Sequence, residues 1–150
     1  MGRGRAGAGG GWGVVARVTP DDIDTTARTL WGEARGEGIE GMRAVAHVIK
    51  NRARKGGWWG STPAAVCKKP WQFSCWNAND PNSARLPKLT ARDHMFPAAI
   101  EAAELVLMTD DPDPTEGATH YHTAAVRPPW SAGKTPCAVI GGHKFFKDID

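Results

Sequence analysis

No apolar run in this chain approaches the roughly 18 residues that a membrane-crossing helix needs, so a membrane span is not expected. Cysteine is scarce: Cys67, Cys75 and Cys137 form no CxxC pair, which argues against a zinc ribbon. Cys67 and Cys75 flank a Trp-Gln-Phe-Ser stretch and could bridge, but an enzyme made in a reducing cytosol keeps both as thiols. A strong excess of one charge is also missing. The net charge of +3 comes from Arg3, Arg5 and Arg17 in residues 1–18, which hold no acid, whereas residues 19–150 carry sixteen basic and sixteen acidic side chains. Three arginines on a short arm are a weak attraction for anionic polymers, and nucleic acid is not expected as a partner. The basic start also lacks the apolar stretch of a secretory signal.

With 150 residues and 41% hydrophobic content, the chain is long enough for one packed domain. Residues 1–18 are too glycine-rich to fold alone and are expected to be a flexible Gly/Arg-rich tail; residues 19–150 form the domain. Nothing suggests a seam for self-association, so a monomer is expected. Thr19-Pro20-Asp21-Asp22 starts a helix: threonine caps, proline suits the first turn and the aspartates favour the positive end of the dipole. Ile23, Ala27, Leu30 and Ala34 recur at helical spacing as one narrow stripe. Glu33 falls roughly 80° off the centre of that stripe, at the border of core and solvent, where a carboxyl can keep its proton near neutral pH. Gly36 and Gly38 end the helix and turn the chain. A second helix follows, with Met42, Val45, Ala46, Ile49 and Ala53 on one face and Lys50, Asn51 and Arg54 away from it, giving an αα-hairpin. By spacing alone, Glu33 and Glu37 are simply solvated helix-end carboxylates.

Further on, Gly56 to Ser61 reads as a turn-rich linker, and Thr62-Pro63 caps a short helix to about Lys68. Residues 76–92 read as a long loop, residues 97–108 as a third long helix. Residues 118–123 and 138–146 suggest two or three short strands with Gly141-Gly142 as the hairpin turn. Seven tryptophans stand against one tyrosine. Most should pack the core, but Trp71, Trp76 and Trp130 are candidates for stacking on a ligand, and Trp58 and Trp59 for an exposed lip.

Five stretches then occur in a telling order: Gly32-Glu33-Ala34-Arg35-Gly36-Glu37, Ala44 to Arg52, Gln72-Phe73-Ser74-Cys75-Trp76, Gly117-Ala118-Thr119-His120-Tyr121, and Ile140 to Phe145. Together they resemble the signature of the SleB-like cell wall hydrolases, the family of spore-cortex-lytic enzyme catalytic domains. The resemblance implies an α+β, lysozyme/lytic-transglycosylase-like fold: a helical core with a small antiparallel β-sheet. It also implies that residues 19–150 are a catalytic domain acting on peptidoglycan glycan strands, with Glu33 as the catalytic acid. Ser74, Thr119 and Tyr121 would position the sugar through hydroxyl contacts, with Trp71, Trp76 and Trp130 as aromatic surfaces. No metal or cofactor is implied. His122 stands where a second aromatic residue or an asparagine is common, and no separate peptidoglycan-binding domain accompanies the motifs. The resemblance does not imply a spore substrate, because a muramic lactam preference belongs to only some members. The expected place of action is the bacterial cell wall. Without a visible export signal, the sequence suggests a phage endolysin or virion-associated hydrolase, made in the host cytoplasm and released at lysis or injected; a shortened form of an exported protein would read the same.

The reaction so implied is cleavage of the β-1,4 bond between N-acetylmuramic acid and N-acetylglucosamine. In a lytic transglycosylase one carboxyl suffices, because the muramyl 6-hydroxyl is the nucleophile. A lysozyme-type hydrolase would need a second group, for which Glu37 and Asp80 are available. Two further alternatives stand beside these. One is a zinc amidase or peptidase using His120, His122 and His143; the other is a glycan-binding module without catalysis.

Overall fold

Thr19 caps the first helix as the sequence suggests. In the computed structural model, which describes residues 17–149, its hydroxyl accepts the Asp22 N–H while Asp22 accepts the Thr19 N–H, a reciprocal capping box. The expected tail lies outside the described residues up to residue 16. Helix α1 (Pro20–Ala34) ends in a tight 3₁₀ turn, Arg35–Glu37. Gly38 at φ 73° then reverses the chain into α2 (Gly38–Lys55), a backbone angle that favours glycine. Thr62 accepts the Ala65 N–H and starts α3 (Pro63–Lys68). A long loop with a 3₁₀ turn at Ser74–Trp76 leads to α4 (Phe96–Met108), one residue earlier than its apolar pattern predicts.

The four helices enclose one apolar core built on Leu30, Met42, Val45, Ile49, Phe73 and Val106. A three-stranded antiparallel sheet in the order β1-β3-β2 closes one side: β1 (His120–Thr123), β2 (Ala138–Ile140) and β3 (His143–Phe146). Tyr121 faces Phe145 and His122 faces Lys144 in the β1–β3 register. The sheet rests on α2 through Phe145, which packs with Ala44, Val48 and Ala118. The expected α+β architecture, helical core plus small antiparallel sheet, is what the chain adopts.

Two expectations need correction. The buried face of α1 is much wider than the predicted stripe, since Thr25, Thr26, Thr29 and Trp31 are buried as well. Helix α1 lies against α2, α3 and α4 at once, and its threonines enter the interior because their hydroxyls are satisfied; Thr29 Oγ1, for example, donates to the Thr25 carbonyl at 2.8 Å. The polar side of α2 is also covered. Asn51 is buried, donating to Asp113 Oδ2 and the Ala118 carbonyl at 2.9 Å each. The segment after α4 folds back over this face, so Asn51, expected to point away from the core, becomes an interior anchor. The cysteines Cys67, Cys75 and Cys137 are all free thiols, with no bridge between the first two.

Gly32 sets how closely the Ser74–Trp76 turn approaches α1. A Cβ there would sit 2.5 Å from Cys75 Cβ and 2.8 Å from its sulfur. Gly32→Ala should therefore lower stability by roughly 1–3 kcal/mol through overpacking, read as a lower midpoint in urea denaturation.

Candidate active site

Helix α1 brings Glu33 to its last turn, half-buried, with its carboxyl directed across the corner between helix and sheet. Three donors from two distant segments converge on it. Tyr121 Oη donates to Oε1 at 2.7 Å, the Cys75 N–H donates to Oε2 at 3.1 Å, and Ser74 Oγ lies 3.5 Å from the same oxygen. The Tyr121 phenol is pushed well above its ordinary range by burial and by the neighbouring Glu33 charge, so it stays protonated and donates. Burial likewise raises the Cys75 thiol, which faces the Thr29 carbonyl and remains a neutral packing group.

Glu33 opens into a groove of about 400 Å³ that Ser74, Tyr121, Trp71, Asp80, Arg52 and His143 also line. Trp71 is 76% exposed and holds φ 67°, a conformation unusual for a bulky residue, and it presents its indole at the groove mouth. Arg52 enters from α2. Its Nε donates to the Thr119 carbonyl at 2.7 Å, its guanidinium lies 4.1 Å from the Trp59 ring centre, and its buried Nη1 has no protein partner. Burial lowers its pKa to about 10, which leaves it cationic at neutral pH. Asp80 Oδ1 accepts the Asn82 N–H at 2.7 Å and so closes its own turn.

The structure brings Glu33, Ser74, Tyr121 and Trp71 to one groove and places the remaining expected site residues elsewhere. Trp76 packs against the core and donates its indole N–H to Thr29 Oγ1 at 2.8 Å. Thr119 is buried, its hydroxyl 3.0 Å from His120 Nδ1. Trp130 stands edge-on to His120, His122 and Phe146 on the far side of the sheet from Tyr121. Of the two suggested lip tryptophans, Trp58 is exposed, whereas Trp59 packs against the core and the Arg52 guanidinium.

The suggested zinc triad does not assemble. His120 and His122 share one face of β1 with Trp130, while His143 lies on the other with Tyr121 and Phe145. Among the described residues no group of three or more His, Cys, Asp or Glu side chains is placed to hold a metal ion. Glu37 is occupied as well. Its Oε1 accepts the Gly142 N–H at 2.7 Å, tying the α1–α2 corner to the β2–β3 turn; a Cβ on Gly141 would collide with that carboxyl.

Arg52 is a groove residue that residue-by-residue reading missed, and His143, weighed there only as a zinc ligand, lines the same groove. For Arg52 a signal existed, because it falls at helical spacing from Met42, Val45 and Ile49, on the apolar face of α2. His143 carried none beyond its motif, since which strand face looks into the groove depends on the sheet's pairing.

The family model described as Cell Wall Hydrolase matches residues 36–146, starting just past Glu33. A curated relative, the spore cortex-lytic enzyme of Bacillus subtilis (strain 168), is 32% identical over 126 residues, which cover 83% of this chain and 37% of that protein. This chain therefore spans well under half the length of that relative. Among solved structures, the catalytic domain of the germination-specific lytic transglycosylase SleB from Bacillus anthracis superposes with a TM-score of 0.70 at 27% identity, covering 89% of this chain and 100% of that one. The catalytic domain of the Bacillus cereus SleB protein gives 0.68 at 26% identity, covering 97% and 100%.

The histidines make a testable statement about pH. Desolvation first, then Arg52 and Lys55, lower the His120 pKa from its ordinary 6.5 to about 4. Burial also lowers His47 and His143. Between those limits the unfolded chain binds a proton that the folded chain refuses, so the histidine contribution to stability is full above pH 6.5, falls on acidification and is gone below about 4, where protonation of Asp111 and Asp113, held below the usual carboxylate range by their partners, continues the loss. Urea midpoints measured across that range should show this slope, and His120→Gln should flatten part of it.

Proposed function

Because the chain belongs to the cell wall hydrolase family, we propose that it cleaves the β-1,4 bond between N-acetylmuramic acid and N-acetylglucosamine in peptidoglycan as a lytic transglycosylase, with Glu33 as the single acid and base. The observation that carries this reading is the Glu33 carboxyl, held at the groove by Tyr121, Cys75 and Ser74. The titles of both solved relatives lend support, one naming a lytic transglycosylase and both a SleB catalytic domain. The place of action is the bacterial cell wall.

The steps follow from the geometry. Protonated Glu33 gives its proton to the glycosidic oxygen as the C1–O bond breaks, and positive charge develops at the muramyl anomeric centre. The 6-hydroxyl of the same sugar then attacks C1 and passes its proton back to the Glu33 carboxylate. The enzyme is thereby restored, and the product is a 1,6-anhydro sugar, formed without water. Tyr121 and the Cys75 N–H keep the two carboxyl oxygens in fixed directions through both transfers. Arg52, a buried cation at the groove, favours the carboxylate present between the two transfers. Trp71 offers an exposed aromatic face for the apolar C–H side of a sugar. The other carboxylate at the groove, Asp80, is engaged in its own turn, which favours the one-acid route over a lysozyme-type pair.

Glu33→Gln should cut turnover of purified peptidoglycan by about 10²–10⁴-fold while wall binding persists, assayed by release of soluble fragments and by co-sedimentation. Full activity in that variant would end the proposal. Mass spectrometry of the fragments should find muramyl ends lighter by one water; reducing ends would transfer the reading to the lysozyme type. Tyr121→Phe, which removes one donor to Glu33, should lower turnover by about tenfold or more with little change in substrate affinity.

A further inference from the structure

A second hollow lies across the sheet from Tyr121. It has about 400 Å³ of space and is lined by Arg127, Lys134, Lys144, His122 and Phe146, among others, with no acidic side chain on its wall. The sequence around it is one-signed: residues 117–147 contain Arg127, Lys134, Lys144 and Lys147 and no aspartate or glutamate. That is conspicuous in a domain otherwise balanced in charge. Among the described residues none of these cations has an ion-pair partner.

The hollow is built rather than incidental. The 3₁₀ turn Pro129–Ser131 is pinned by the Ser131 N–H and hydroxyl, which both donate to the Pro128 carbonyl at 3.0 and 2.8 Å. The Lys134 N–H then donates to the Ser131 carbonyl at 3.0 Å, and Gly133 takes φ 72° to complete the bend. Prolines at 128, 129 and 136 restrict the same loop. Two aromatic rings line it, His122 stacked on Phe146 at 5.2 Å, and Trp130 supports Phe146 edge-on at 5.2 Å. Lys144 faces this side from β3, opposite His122 in the register. Holding three cations around one concavity is electrostatically unfavourable on its own, and an anion in the hollow relieves that repulsion.

We propose that this hollow is a subsite for the carboxylates of the peptide stem attached to the muramyl residue. The assignment rests on the peptidoglycan reading above and extends it to what the sugar carries. The two hollows share His122, so a glycan seated over Glu33 brings its own substituent to the basic side. A guanidinium and two ammonium groups suit several carboxylates spread along a short peptide, through charge-assisted hydrogen bonds.

The test compares soluble glycan strands that bear stem peptides with the same strands stripped by a muramoyl-alanine amidase, which leaves only the lactyl carboxylate. Affinities are measured for the Glu33→Gln protein, so no turnover enters the readout. Peptide-bearing strands should bind about three- to tenfold more tightly at low salt, and the gap should shrink at about 0.5 M salt. Adding Arg127→Gln and Lys134→Gln to that protein should close the gap. Equal affinity for the two strands overturns the subsite, as does a gap that survives both substitutions. Competition by poly(glycerol phosphate) but not by free stem peptide also overturns it, assigning the hollow to phosphate. Because the comparison of the two strands in the Glu33→Gln protein needs neither further substitution, a misfolded Arg127 or Lys134 variant does not spare the idea. If wild-type protein cleaves both strands and the Glu33→Gln protein binds them equally, only this inference falls. If it neither binds nor cleaves either, the glycosidase reading falls as well.

Discussion

Everything at the groove depends on the hydrogen bonds that end on the Glu33 carboxyl. They join three segments far apart in the chain: the end of α1, the Ser74–Trp76 turn and strand β1. Each participant needs a separate condition. Gly32 must be small enough for Cys75 to approach α1, Tyr121 must face the helices rather than the opposite side of the sheet, and Thr29 must be buried beside the turn to receive Trp76. A carboxylate accepting from a phenol and a backbone N–H is fixed in orientation, which is what directed proton transfer requires.

The second scaffold is the polar face of α2. Arg43 forms a two-pronged contact with Asp111 at 2.6 and 3.1 Å, and His47 Nε2 lies 2.8 Å from the same carboxylate. Burial outweighs the pull of Asp111 and keeps the His47 pKa below its usual range, so a neutral ring donates. Asp113 accepts from Asn51, Thr115 and Gly117. Buried polar groups that satisfy one another fix a single position for the segment after α4. That segment carries Thr119, whose carbonyl anchors Arg52, and continues into β1 with Tyr121. The α2 network thus positions both the cation and the phenol at the groove without lining it.

Glu37 plays a comparable part at the other end of the motif, since its bond to Gly142 attaches the α1–α2 corner to the β2–β3 turn. The two glutamates of the Gly32–Glu37 run therefore divide their work: Glu33 looks into the groove, and Glu37 keeps the sheet in place. Their separation by four positions in a helix that tightens to a 3₁₀ turn sends them to different neighbours.

Local patterns sufficed for the caps at Thr19 and Thr62, the glycine corner at Gly38, the apolar face of α2, the extent of α4 to within one residue, and the turn at Gly141, because each is decided by residues within a few positions of one another. The order of the motifs was enough to nominate Glu33, Ser74, Tyr121 and Trp71. Tertiary structure alone decided that Asn51 is interior, that Trp76 and Thr119 serve packing, and that His143 parts company with His120 and His122. Those outcomes rest on which strand face meets α2 and on a loop folding over a polar helix surface, contacts between residues tens of positions apart. A helical or alternating pattern records which side chains share a face; it does not record what that face will meet.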